Sequence, residues 1–350
     1  MNNRRNIPHI YKPLLPLAWV YSAVASIRNK LFDWHILPIE EFDIPIISVG
    51  NITVGGTGKT PLIEYLIELL SPQYRVAVLS RGYGRKSKGF VLADNHSTAL
   101  TLGDEPFQIH SKYNNIIVAV DANRRRGIHR LLQTTPAPEV ILLDDALQHR
   151  YVRPSISIVL YDYNRPIYAD LVLPAGRLRE PATGVRRADI TLITKCPHIL
   201  PDEELDREAR MLSLSRKRVF ASHIGYKDLV KFDTNEPIVT ARLLNNKKVI
   251  LLCGIANPSY IQEHMSLYTT QIILKSYPDH HSYNHQELIE LLGLAQKEDA
   301  IIITTEKDAA RLRRLMPIED LSNRMYILPI KTIIQDKAFD DYILKNIYKR

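Results

Sequence analysis

Apolar positions along the chain follow two periods. Short aliphatic runs that break off at glycine, serine, threonine or aspartate occur at 46–49, 75–80, 116–120, 140–145, 156–160 and 190–194. Continuous runs of this kind predict strands buried on both faces. Elsewhere apolar residues recur at helical spacing, as in Leu62, Ile63, Leu66, Ile67, Leu69 and Leu70. Strands alternating with helices predict an α/β fold with a mostly parallel sheet, whose ligands gather at the carboxyl ends of the strands. Further runs at 248–253, 271–276 and 300–305 predict a second, smaller α/β domain. The expected division is an N-terminal amphipathic helix over 1–40, a main domain over 41–225 and a smaller domain over 226–350 that closes over the active site.

The first forty residues carry a different pattern. Arg4, Arg5 and Lys12 precede an apolar stretch from Leu14 to Ile27, and Arg28 and Lys30 follow it. Leu17, Val20, Tyr21, Val24, Ile27 and Leu31 share one helical face. The stretch is short for a bilayer and is broken by Ser22 and Ser26. No cleavage site in a signal-peptide context is evident. Trp19, Tyr21 and Trp34 add amphipathic rings of the kind that settle at a headgroup boundary. The residues leave two readings open: a helix lying in a membrane interface, and a helix packed on its own domain.

Chemistry concentrates where the first strand ends. Ile46 to Val49 runs into Gly50-Asn51-Ile52 and then Thr53-Val54-Gly55-Gly56-Thr57-Gly58-Lys59-Thr60, and a helical pattern follows at once. Strand, glycine-rich loop and helix form the context of a phosphate-binding loop. Glycines let backbone N–H groups turn toward an anion, and the helix N-terminus adds its dipole. On this reading Thr53 to Thr60 wraps the phosphates of ATP. Lys59 reaches the β- and γ-phosphates, and the Thr60 hydroxyl holds Mg²⁺. The usual first glycine of such a loop is Thr53 here, so Gly55-Gly56 supplies the flexibility.

Hydrophobic residues running into Asp144-Asp145 match a strand whose terminal aspartates bind Mg²⁺ directly or through water. Gly103-Asp104-Glu105-Pro106 opens a helix. The acidic pair either caps that helix or supplies a base and a metal-linked carboxylate. Arg81-Gly82-Tyr83-Gly84-Arg85-Lys86 and the loop with Arg177 and Arg179 bring cations to the same strand ends. Such arginines neutralise transferred phosphoryl charge or serve structure. Asp279-His280-His281, after a strand of the second domain, suggests proton handling.

A formal charge of +8 points to an anionic partner: nucleic acid, an acidic membrane or a phosphorylated substrate. The cations are scattered among loops without a reader motif, so nucleic acid is not an expected partner. Two cysteines, Cys196 and Cys253, exclude a disulfide framework.

The ordered set of motifs resembles the tetraacyldisaccharide 4′-kinase family. It comprises Val49-Gly50-Asn51-Ile52 through Lys59-Thr60, Ser80 to Arg85, Gly103 to Pro106, Leu143-Asp144-Asp145-Ala146-Leu147-Gln148-His149, Leu178-Arg179-Glu180-Pro181, Pro278 to His281, and Thr305-Glu306-Lys307-Asp308. The family's loop also lacks the first glycine. The resemblance implies transfer of the ATP γ-phosphate to the 4′-hydroxyl of an acylated glucosamine disaccharide 1-phosphate, giving lipid IVA. It implies a peripheral enzyme on the anionic cytoplasmic face of the inner membrane, which favours the interfacial reading of the first helix. It also implies a catalytic pair, Asp104 with His280 rather than His281. Arg179 is expected among the catalytic residues, and Thr60, Glu105, Asp144 and Asp145 around the metal. The competing class is a membrane-associated P-loop NTPase of partitioning or metallochaperone type. Val54 stands where many dimeric members of that class carry lysine, and no metal-ligand cluster is evident.

Overall fold

The structure is a computed structural model that describes residues 10–197, 199–255, 258–278, 281–313, 315 and 324–347. The chain divides into two compact units, 1–224 with 332–350, and 225–331.

The first unit is built on a nine-stranded sheet. Its strands, in chain order, are β1 (Ile46–Asn51), β2 (Val76–Ser80), β3 (Val91–Leu92), β4 (Ile117–Val120), β5 (Val140–Asp144), β6 (Ile156–Asp162), β7 (Ile190–Thr194) and β8 (Val219–Tyr226). The spatial order is β15-β8-β7-β6-β1-β5-β2-β4-β3, where β15 is Ile330–Ile334. Neighbours from β8 to β4 pair in parallel, and β3 joins the edge antiparallel. β1 sits between β5 and β6, with Val49 opposite Asp144. The strand with the aspartate pair is therefore the direct neighbour of the strand that feeds the glycine loop.

Helices cover both faces. They are α1 (Leu15–Asp33), α2 (Lys59–Leu70), α3 (Ala99–Leu102), α4 (Asp104–Lys112), α5 (Arg124–Leu132) and α6 (Asp202–Leu212). Alternate side chains of each strand enter different cores. Ile47, Val49, Val140 and Leu142 pack with Leu62, Ile63, Leu66 and Ile67 of α2. Ile46, Ile141 and Leu143 pack with Ile128 and Leu131 of α5. Burial on both sides explains why the strands are continuous apolar runs rather than alternating ones.

The second unit has a six-stranded sheet made by β9 (Leu229–Lys231), β10 (Pro237–Ile238), β11 (Lys248–Cys253), β12 (Ile272–Ser276), β13 (Ala300–Thr305) and β14 (Met325–Leu328). Its order is β10-β9-β14-β13-β11-β12, parallel from β14 to β12. The helices of this unit are α7 (Thr240–Leu244), α8 (Ser259–Ser266), α9 (His285–Lys297) and α10 (Glu306–Leu312).

One expected boundary is corrected. The smaller domain does not run to residue 350: the chain rejoins the first unit at Thr332. There α11 (Ala338–Asn346) sets Phe339 and Ile343 into the α2-side core. The Phe339 ring meets Phe220 edge-on at 5.5 Å, and Tyr65 donates to Asp340 Oδ1 at 2.6 Å. Tail sequence alone does not reveal which of two cores an amphipathic helix will fill. The N-terminal helix likewise belongs to the first unit rather than standing apart.

Candidate active site

The glycine loop leaves β1 and enters α2 at Lys59. Gly58 caps that helix at φ +86°, a left-handed conformation that glycine adopts without strain. Neighbouring segments hold the loop in shape. Asn51 Nδ2 donates to Thr57 Oγ1 at 2.7 Å. Thr194 Oγ1, at the tip of β7, donates to the Thr57 carbonyl at 2.8 Å. Lys195 donates from Nζ to the Gly56 carbonyl and, at 3.0 Å, to Asp162. On the other side Val54 N–H donates to the Arg177 carbonyl at 2.9 Å, and Arg179 N–H to the Ile52 carbonyl at 2.6 Å. Sequence reading missed Asn51, Thr194 and Lys195 as loop supports. The separations are 137 and 139 residues for Thr194 and Lys195, and no local pattern signals such a pair.

Lys59 lies 3.5 Å from Asp145, and Arg179 Nη1 reaches both oxygens of the same carboxylate at 3.0 and 3.2 Å. Lys59, Asp145 and Arg179, predicted separately, thus form one cluster. Asp144 is placed differently. It is buried, with 3 % of its surface exposed, and Ser80 at the tip of β2 donates to Oδ2 at 3.0 Å. Its Oδ1 is buried with no hydrogen-bond partner.

The two adjacent carboxyls are pushed apart in acidity. Burial raises Asp144 above the ordinary carboxylate range, and Lys59 only partly offsets it. Burial also opposes the charge of Asp145, but Lys59 and Arg179 together hold it below that range. The backbone contributes: Asp145 has φ +49°, which turns it out of the strand toward the cations.

Arginines converge behind the pair. Arg124 is 2 % exposed and donates to the Asp121 carbonyl at 2.7 Å and the Asp144 carbonyl at 2.8 Å. Burial brings its pKa down to about 10. Burial, then Arg124, Arg28, Arg125 and Arg81, lower His149 to about 4, so that ring is neutral at pH 7.

Asp104 and Glu105 are exposed in the first turn of α4. Gly103 before them has φ +94°, and a Cβ there would sit 2.8 Å from the Tyr83 carbonyl. Only glycine allows that approach, so the Gly103–Asp104 start rests on the 81–85 loop. That loop follows β2, whose Ser80 bonds Asp144. Both motifs therefore stand at the carboxyl ends of neighbouring strands. In the second unit His281 Nε2 lies 3.0 Å from Glu287 and its ring stacks on Tyr277 at 4.6 Å. His280 lies outside the described residues.

The first helix presents its predicted apolar stripe outward. Leu17 (59 %), Val20 (63 %), Val24 (61 %) and Ile27 (58 %) are exposed, with Trp19 and Trp34. The last turns of the helix dock beside the stripe: Phe32 is buried against Tyr151, Arg28 Nη2 donates to the Gln148 carbonyl at 3.1 Å, and Asn29 donates to Glu180 at 3.2 Å. No described helix is long and apolar enough to cross a membrane.

A glycine loop running into a helix, a lysine at its end and an aspartate pair on the adjacent parallel strand define a nucleotide-handling P-loop protein of the α/β class. The family model described as LpxK, tetraacyldisaccharide-1-P 4′-kinase, matches residues 10–348. A tetraacyldisaccharide 4′-kinase of Bacteroides thetaiotaomicron is 44 % identical over 352 residues, covering 96 % of this chain and 93 % of the relative. One from Flavobacterium johnsoniae is 45 % identical over 339 residues. The solved structure of LpxK from Aquifex aeolicus in complex with ATP superimposes with a TM-score of 0.75 at 28 % identity, covering 96 % of this chain and 99 % of that one. The chain belongs to the tetraacyldisaccharide-1-phosphate 4′-kinase family, and its activity is that of a 4′-kinase in lipid A biosynthesis.

Proposed function

We propose that the loop from Thr53 to Thr60 holds the phosphates of ATP and that the γ-phosphoryl group passes to the 4′-hydroxyl of an acylated glucosamine disaccharide 1-phosphate, giving lipid IVA. The observation that carries this reading is the cluster at the tips of β1 and β5. Lys59 and Arg179 flank Asp145, beside a buried Asp144 with one unpartnered oxygen. Two cations at that point can take up charge on the transferring group. The residues also fit Mg²⁺. Asp144 Oδ1 is an orphaned acceptor in a site that penalises its charge, which a divalent cation would relieve, and Thr60 supplies a hydroxyl. No group of three or more His, Cys, Asp or Glu side chains able to hold a metal occurs among the described residues, so phosphate oxygens would complete the shell. When bound, Mg²⁺ neutralises phosphate charge. Asp145, engaged by Lys59 and Arg179, would act on it through water, and Glu105 is a further candidate ligand.

Asp104 is the proposed base and His280 its orienting partner. A hydroxyl attacks phosphorus better when a carboxylate takes its proton. The exposed stripe of α1 supports docking on the anionic cytoplasmic face of the inner membrane, where apolar residues enter the headgroup region. Asp104→Asn tests the base: Gly103, not Asp104, is the N-cap of α4, so asparagine keeps the side chain's size in the first turn, gives up only its charge toward the helix dipole and cannot accept the proton. We expect a folded protein that binds ATP and loses at least ~10²-fold in kcat, the lower range for loss of general-base catalysis. Phosphorylated glycolipid measured by mass spectrometry reads the outcome. Near-normal turnover leaves Asp104 only a first-turn role toward the helix dipole, and additive losses with His280→Ala break the pair.

A further inference from the structure

A second cationic site lies on the outer side of α5. Residues Arg124, Gly127, Ile128 and Leu131 face the core at helical spacing and are buried. Arg125, Arg126, His129 and Arg130 therefore face outward, where with Glu40 they line an open depression of about 510 Å³. The four basic side chains are not equivalent. Arg126 is held bidentate by the buried Asp121 at 2.8 Å. His129 Nε2 meets Glu40 at 2.6 Å, while Arg125 Nε stands 3.9 Å from the same carboxylate. Arg125 is instead positioned by stacking over Tyr151, 5.4 Å from the ring centre. Arg130 has no ion-pair partner among the described residues. Three guanidiniums and a histidine thus face two carboxylates, with Arg125 and Arg130 the least neutralised.

We propose that this depression is an accessory phosphate-binding site, filled by a phosphate group presented at a membrane surface. The proposal rests on the kinase reading above and deepens it. Its place supports it. The segment joining α1 to Glu40 carries exposed Trp34 (65 %) and Ile36 (63 %), and it is fixed to the body through Arg150–Asp33 at 2.6 Å and Glu40 N–H to the Tyr151 carbonyl at 2.9 Å. Apolar groups that enter a headgroup layer therefore sit in the same short segment as a rim residue of a cationic depression. That pairing suits a phosphate on a lipid. Arginine forks also match phosphate oxygens in geometry. Two sources share this chemistry: the headgroup of an anionic phospholipid and the 1-phosphate of the acceptor. Arg124 links α5 to Asp144, so occupancy would fix the helix that backs the candidate metal carboxylate.

The test uses full-length protein and the double variant Arg125→Ala/Arg130→Ala. One arm measures binding to phosphatidylglycerol vesicles and to phosphatidylcholine vesicles. The other measures KM and kcat in neutral detergent, with acceptors carrying or lacking the 1-phosphate. At about fivefold per arginine near an anionic surface, we expect roughly 25-fold weaker binding in one arm. A loss confined to phosphatidylglycerol assigns the headgroup. A rise in KM confined to the phosphorylated acceptor, at unchanged kcat, assigns the 1-phosphate. Glu40→Gln, which removes opposing charge, should shift the same arm the other way. If both variants leave both arms unchanged, the depression is not a phosphate site. The vesicle arm does not depend on turnover, so failure of the kinase reading would leave it legible.

Discussion

The cleft at the ends of β1 and β5 and the outer face of α1 both break the usual sorting of side chains, in opposite senses. In the cleft Asp144, Asp121 and Arg124 are charged or polar and buried. On α1, Leu17, Trp19, Val20, Val24 and Ile27 are apolar and exposed. Each arrangement costs folding free energy. A buried charge loses hydration, and an exposed aliphatic stripe forgoes roughly 25 cal/mol per Å². The cleft recovers part of its cost internally, through Ser80, Lys59 and Arg179. Among the described residues only Tyr21 of the predicted stripe bonds the body, donating to the Arg179 carbonyl at 2.9 Å. The contrast separates a cleft that buries charged groups from a helix face that stays apolar and exposed among the described residues.

The sharpest way to break this comparison is to remove the cation that serves the cleft. Lys59→Ala should lower kcat at least ~10²-fold, in the range for loss of one transition-state donor, with an unchanged circular dichroism spectrum. Near-normal phosphorylation of the glycolipid would end the phosphate-loop assignment. A smaller effect is expected on the helix. Leu17→Ser/Val24→Ser should weaken sedimentation with anionic vesicles by ~10- to 100-fold, taking about 1 kcal/mol for each partly buried side chain. Stability should change little, because both residues are largely exposed. If instead the melting temperature falls and vesicle binding stays the same, the stripe is a packing surface and the contrast fails.

The smallest effect tests the two aspartates. The folded-state pKa of Asp144 is raised, so the fold binds its proton more tightly than the unfolded chain does. Its contribution therefore falls as pH rises through the ordinary carboxylate range toward the folded value. Asp145 is depressed, so its contribution is present above the ordinary range and is lost as pH falls through the folded value. Asp144→Asn should be more stable than the parent at pH 7 and Asp145→Asn less stable, each on the order of 1 kcal/mol, with both gaps closing in acid. Thermal melts from about pH 2 to about pH 7 check the sign, since the Asp145 window lies below the ordinary carboxylate value and the Asp144 window above it. Shifts in the same direction would show that the two carboxyls share one environment.

Much of the candidate site could be proposed from sequence because its parts are short and contiguous. The Gly55–Thr60 loop, the aspartates that end β5 and the Gly103–Pro106 turn each announce themselves within a few residues. The supports were not legible. Ser80 meets Asp144 across 64 residues, and Gln148 reaches the Asn51 carbonyl across 97. Such partners are chosen by strand order, and strand order is a property of the whole sheet.

By itself the sequence determined the periodicity of the strands and helices, the glycine loop and the order of the charged motifs. These follow from backbone sterics and from burial that is already encoded locally. Tertiary structure alone decided the rest. It put β5 beside β1, so that Lys59 could meet Asp145, and it gave two neighbouring aspartates opposite acidity through different burial and neighbours. It returned the last helix to the first core. It also left the apolar stripe of α1 outward, because the helix docks through Ala18 on an aliphatic cluster with Ile52 and Leu147, and through Arg28, Asn29 and Phe32 on Gln148, Glu180 and Tyr151.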